Sequence, residues 1–127
     1  MKFIIVIALV SALVACTGGS SNETINAAQS ALNNLTKARA MLTSVNSVDD
    51  AQAIEADMSK VGKSYAEAIQ LMRSANKGDQ ETALELAKLT PLIAAKFQGM
   101  LLELNALQAR NADAAKILLD ELKAFKP

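Results

Sequence analysis

The stretch AQAIEADMSKVGKSYAEAIQLMRSA, residues 51–75, decides the fold. Its apolar residues Ala51, Ile54, Met58, Val61, Tyr65, Ala68, Met72 and Ala75 recur every three or four positions, the spacing that lines one face of an α-helix. The phase runs through Gly62 without a jump, so one long helix is expected, near 48–76. Ser47 followed by Asp50 makes a variant of the capping box in front of it. Behind it, Asn76-Lys77-Gly78-Asp79 reads as a C-terminal Gly cap followed at once by an N-cap Asp, a tight turn between antiparallel helices.

The pattern repeats on both sides. Upstream, Ile25, Ala28, Leu32, Leu35 and Leu42 form a stripe that predicts a helix near 23–44, with Arg39 in the missing apolar position. Downstream, Ala83, Leu86, Thr90, Ile93, Phe97, Met100, Leu104 and Leu107 predict a third helix near 80–109. Pro91 lies inside that run, where it removes a ladder hydrogen bond, so a kink or short break is expected there. After a turn at Arg110-Asn111-Ala112-Asp113, residues Ala114, Ile117, Leu118, Glu121, Leu122 and Phe125 predict a shorter helix near 112–125. Ala and Leu dominate and aromatics make up only 3%, a composition that favours helix over sheet. The expected fold is all-α, a small up-and-down antiparallel bundle of three to four helices over residues 22–127.

The first sixteen residues carry a different message. Met1-Lys2 supplies a positive start, Phe3 to Val14 is apolar except for Ser11, and Leu13-Val14-Ala15-Cys16 closes the run. This is the layout of an export signal, and it falls short of the roughly 20 apolar residues that a spanning helix needs. Leu13-Val14-Ala15-Cys16 resembles the lipobox of bacterial lipoproteins. The resemblance implies a diacylglyceryl thioether on Cys16, cleavage before it that removes residues 1–15, and a further acyl chain on the new amino terminus. Acyl chains of the palmitate kind contribute roughly 0.8 kcal/mol per buried methylene, and two or three of them hold a protein on a bilayer where one does not. Thr17 stands where Asp would retain such a protein at the inner membrane, so the resemblance points to the outer membrane, with the domain in the periplasm. Residues 16–21 are then a lipidated Cys and a short flexible tether, Thr17-Gly18-Gly19-Ser20-Ser21.

A second resemblance is confined to one turn. Gly78-Asp79, with Ala83 five residues after the Gly, looks like the inter-helix turn of a tetratricopeptide repeat. Asn46, Gly78 and Arg110 are spaced 32 residues apart, near that family's period of about 34. It implies an alternative architecture, a short array of αα-hairpins.

Composition excludes several functions. Removal of residues 1–15 takes away Lys2 and leaves twelve Lys and Arg against thirteen Asp and Glu, so no basic stripe awaits nucleic acid. There is no His and no Cys besides Cys16, and the carboxylates fall mostly on charged helix faces, so no catalytic pair, metal set or cofactor site is expected. Met41, Met58, Met72 and Met100 are scattered singly, without the His that accompanies them in copper or haem sites, and read as core filling. Arg39 is expected to snorkel at the bundle edge, with an ion pair to Asp57 or Glu103 as the alternative. Gly99 marks a close helix crossing or an exposed position. The expected function is that of a non-enzymatic envelope lipoprotein. Its partners would be the lipid bilayer, through acylated Cys16, and an envelope protein or a second copy of itself. The alternative is a binding module that takes an apolar ligand or peptide in its helical core or a groove.

Overall fold

The computed structural model describes residues 20–74 and 80–125. The described residues form four helices and no strand: α1 Ser20–Ser44, α2 Val48–Ser74, α3 Gln80–Arg110 and α4 Ala112–Leu122. They make a small helical bundle. The export signal, the Leu13-Val14-Ala15-Cys16 motif and the Gly78-Asp79 turn lie outside the described residues. Ser20 and Ser21 belong to α1 rather than to the tether in which the sequence places them. The last helix ends at Leu122, ahead of the expected 125, in a turn that carries Phe125 back into the core.

The chain alternates direction from helix to helix. Asn111 alone separates α3 from α4, and its Nδ2 donates to the Asn46 carbonyl at 3.4 Å, which brings the α1–α2 and α3–α4 connections to one end of the bundle. Hence α1 runs parallel to α3, and α2 to α4. Close backbone contacts join α1 to α2 and α3, and α4 to α2 and α3, whereas α2 and α3 sit on a diagonal and do not meet. The 25- and 27-residue lengths of α1 and α2 exceed what a repeat of about 34 residues can hold, which favours the bundle over the tetratricopeptide-like array.

Local chemistry explains where helices start and stop. Asp50 N–H donates to Ser47 Oγ at 3.1 Å and Asn46 N–H to Asp50 Oδ2 at 3.0 Å, which is the expected capping exchange at the start of α2. Asn111, in extended backbone at φ −158°, accepts the Ala114 N–H on Oδ1 at 3.0 Å and starts α4. The end of α1 is closed from a distance. Arg110 donates from Nε and Nη2 to the Val45 carbonyl at 3.2 and 3.0 Å, and from Nη2 to the Leu42 carbonyl at 3.1 Å. The last turn of α1 has no basic residue of its own, so α3 supplies the cation that its carbonyl end lacks.

Of the kink or short break expected at Pro91, the break does not occur: α3 continues through the proline. The proline deprives the Ala87 carbonyl of its intrahelical donor, but both residues are exposed and water can serve that oxygen. The neighbouring turn is also held by Thr90 Oγ1, which donates to the Leu86 carbonyl at 2.7 Å.

The core is made of the expected large side chains plus small ones. Leu35, Leu42, Met58, Tyr65, Met100, Leu107 and Leu118 are buried, and α1 adds Ala27, Ala28, Ala31 and Ala38 where it passes its two neighbours. Two glycines mark close approaches. A Cβ on Gly62 would lie 3.1 Å from the Ala124 Cβ and 3.2 Å from the Glu121 carbonyl oxygen, so the glycine lets the end of α4 settle on α2. The nearest atoms to a Cβ on Gly99 would be those of the flexible Arg39, with Nη1 at 2.9 Å. Arg39 itself is exposed and lies over α3, and among the described residues it makes no ion pair with Asp57 or Glu103. Because a guanidinium tip moves easily, Gly99→Ala is expected to stabilise the protein by about 0.5–1 kcal/mol through helix propensity. Thermal unfolding checks this, and a loss of stability would show that Arg39 is pinned in place.

Candidate functional site

The four helices differ greatly in length, and this creates the most distinctive feature of the surface. With 11 residues, α4 covers only the first half of the 27-residue α2. Beyond Phe125 nothing among the described residues separates α2 from α3, and a cleft of about 370 Å³ opens between them. Its α2 wall carries Tyr65, Ile69, Met72 and Arg73, and its α3 wall carries Thr90, Ile93, Ala94, Phe97 and Gln98. A volume in this range is typical of small-ligand pockets. Among the described residues no Asp or Glu lines it, and the Thr90 hydroxyl already donates to its own helix.

Tyr65 is the unusual member. It is fully buried, its ring stacks on Phe125 with centroids 5.2 Å apart at 28°, and its Oη has no hydrogen-bond partner among the described residues. Burial pushes the phenol above its ordinary value of 10, and the positive Arg73 pulls it back by less. A buried hydroxyl without a partner costs about 1–3 kcal/mol, so Tyr65→Phe is expected to stabilise the unliganded protein by about 1 kcal/mol. The pH dependence has a definite sign. The folded state holds the phenolic proton more tightly than the unfolded chain does, so this contribution is intact below pH 10 and is lost as pH rises through the raised value. As Tyr65 is the only tyrosine, tyrosinate absorbance during an alkaline titration reads it alone, and ionisation at or below pH 10 would contradict the burial.

A second depression, of about 470 Å³, lies between α1 and α2. It is more open, and Glu23, Glu67, Ser30 and Ser64 edge it with polar groups that water reaches. No three His, Cys, Asp or Glu side chains among the described residues gather as a metal site would need. The methionines stand apart, with Met58 and Met100 buried, Met41 half-buried and Met72 on the cleft wall. At the far end of α4, Lys123 and Asp120 pair at 2.8 Å in full solvent exposure, which lowers the Asp120 carboxyl and raises the Lys123 amine without adding much stability.

The sequence places Tyr65 and Met72 on a core stripe, and both are there, but the cleft they share with α3 is not written in any stripe. Cys16, the one site residue the sequence names, lies outside the described residues. No helix among the described residues is long and apolar enough to cross a membrane. No family model, curated protein or solved structure matches the chain.

Proposed function

We propose that this chain is a lipid-anchored protein of the bacterial envelope whose helical domain works by binding rather than by catalysis. The observation that carries the anchor is the sequence Leu13-Val14-Ala15-Cys16 directly behind an apolar run that starts with Lys2. Acylated Cys16 would hold the protein on the bilayer, and Thr17 in place of Asp favours the outer membrane, with the domain in the periplasm. Because α1 begins at Ser20, four residues beyond the anchor, the bundle would stand at most about 14 Å from the lipidated sulfur's own residue.

Two tasks suit such a domain: contact with an envelope partner or a second copy, and uptake of an apolar ligand. The α2–α3 cleft, with its apolar walls and one buried unpaired hydroxyl, favours uptake.

Intact mass measurement of the protein taken from its native membrane tests the anchor. The expected mass is that of residues 16–127 plus a diacylglyceryl group and an amide-linked acyl chain. An unacylated chain, or one that keeps residues 1–15, would refute it.

A further inference from the structure

The outward face of α3 is apolar, and no other helix among the described residues covers it. Leu84, Leu92 and Leu102 are each more than half exposed, and the exposed Ala87, Pro91 and Ala95 lie between them. Leu84 and Leu102 stand five turns apart at about 3.6 residues per turn, so they share one line along the helix, about 27 Å long. Leu92, near the middle, stands less than a quarter-turn to one side. A convex helix face encloses no small ligand, so its occupant must be another surface. The charged residues between Leu84 and Leu102 are Glu85, Lys88 and Lys96, and Glu85 pairs with Lys88 at 3.0 Å, so no basic cluster draws this face to anionic lipid.

We infer that this face binds the same face of a second copy of the chain, with the two α3 helices antiparallel about a two-fold axis level with Ile93. The spacing is self-complementary: antiparallel pairing sets Leu84 against the second copy's Leu102 at both ends, with the two Leu92 side chains close to the axis. Opposed helix dipoles favour this direction over a parallel one. The same register brings the second copy's Gln98 to the level and flank of Ala87, where its amide N–H can serve the carbonyl that Pro91 leaves without an intrahelical donor. Contact over nearly half the helix circumference along this line buries roughly 500 Å² per copy and about 1,000 Å² in all, where specific interfaces begin. A two-fold axis normal to the plane of the pair keeps α1, whose Arg39 lies over Gly99, on one side in both copies, so two anchored copies can share one bilayer. The shared bilayer raises their effective concentration, which suits an interface of this modest size. The pairing deepens the second-copy task named above and rests on it, and it is independent of ligand uptake in the cleft.

The chain has a single cysteine, and acylation of Cys16 leaves an introduced cysteine as the only free thiol. Two differently tagged copies, one Leu84→Cys and the other Leu102→Cys, are produced together and treated in their native membranes with a short bis-maleimide. The expected result is a mixed cross-link about tenfold more abundant than either like pair. Ala95→Glu, which sets two like charges near the axis from an exposed position, reduces the mixed cross-link to the level of the like pairs. Helical circular dichroism verifies the fold of each variant, and Leu92→Glu makes the same test should Ala95→Glu unfold. Equal amounts of all three pairings, unchanged by either glutamate, are random collisions and overturn the inference. Dominant like pairs mean parallel helices and overturn the antiparallel register. Absence of any cross-link overturns the inference and the second-copy task together while ligand uptake stands. Labelling of α3 by a photoreactive phospholipid in place of a cross-link means that the bilayer covers the face, which overturns it as well. A cross-link in the parent chain, through Cys16 itself, marks failure of the anchor alone, and the same comparison in a Cys16→Ser background then decides the pairing.

Discussion

Leu35→Ala is expected to destabilise the protein by about 3–4 kcal/mol, the upper part of the range for such truncations in a packed core. Leu35 is completely buried on α1, the helix that packs against both α2 and α3. The magnitude turns on how far the surroundings collapse into the hole. Here α2 and α3 have no close contact with each other, and α1 is already drawn in tightly by Ala28, Ala31 and Ala38, so little remains that can move inward. The loss is a large fraction of the 5–15 kcal/mol typical of a domain. Urea denaturation followed by helical circular dichroism measures it as a lower midpoint at unchanged slope. A loss below about 1 kcal/mol would mean that the α1 interfaces are loose.

The long stripes were readable because large aliphatic residues at three-and-four spacing leave few alternatives. Leu35, Leu42, Met58, Met100, Leu107 and Leu118 stand where the period puts them, and the all-helical bundle follows. The alanines of α1 were harder to read. Ala27, Ala31 and Ala38 are buried because close helix approach needs small side chains, yet alanine on an exposed face looks the same in sequence. At the beginning of α3 the stripe is half right, with Leu86 and Ile93 buried as it puts them. Thr82 and Leu89 are buried there, while Ala83 and Thr90 are exposed. This helix carries apolar residues all round, with Leu84, Leu92 and Leu102 in solvent, so hydropathy cannot select a phase. The cleft was not readable at all, since it arises from a difference in length between α4 and the diagonal pair α2 and α3. Tyr65 looked like an ordinary core residue because a stripe reports that a side chain is covered, not that its hydroxyl is left without a partner.

Arg110 gives the second large effect, and its role also escaped the sequence, where it appears only as a turn residue. Arg110→Met keeps most of the aliphatic stem and removes the guanidinium, so two carbonyls at the end of α1, Leu42 and Val45, lose three charge-assisted hydrogen bonds. Bonds of this kind contribute about 1.5–3 kcal/mol each to stability when well shielded. Arg110 is partly exposed, water replaces some of what is lost, and the three bonds share one side chain, so the expected total is about 2 kcal/mol. A second effect acts in the same direction. The parallel α1 and α3 bring two negative helix ends side by side, and Arg110 is the cation placed between them. Arg110→Lys therefore separates the contributions: it keeps the charge but not the fork that reaches both carbonyls, and it is expected to recover less than half of the loss. Urea midpoints of the two variants, at low and at high salt, provide the measurement. Full recovery by Arg110→Lys would reduce the contact to a simple charge effect, whereas an unaffected Arg110→Met would show that water closes the end of α1 as well as the arginine does.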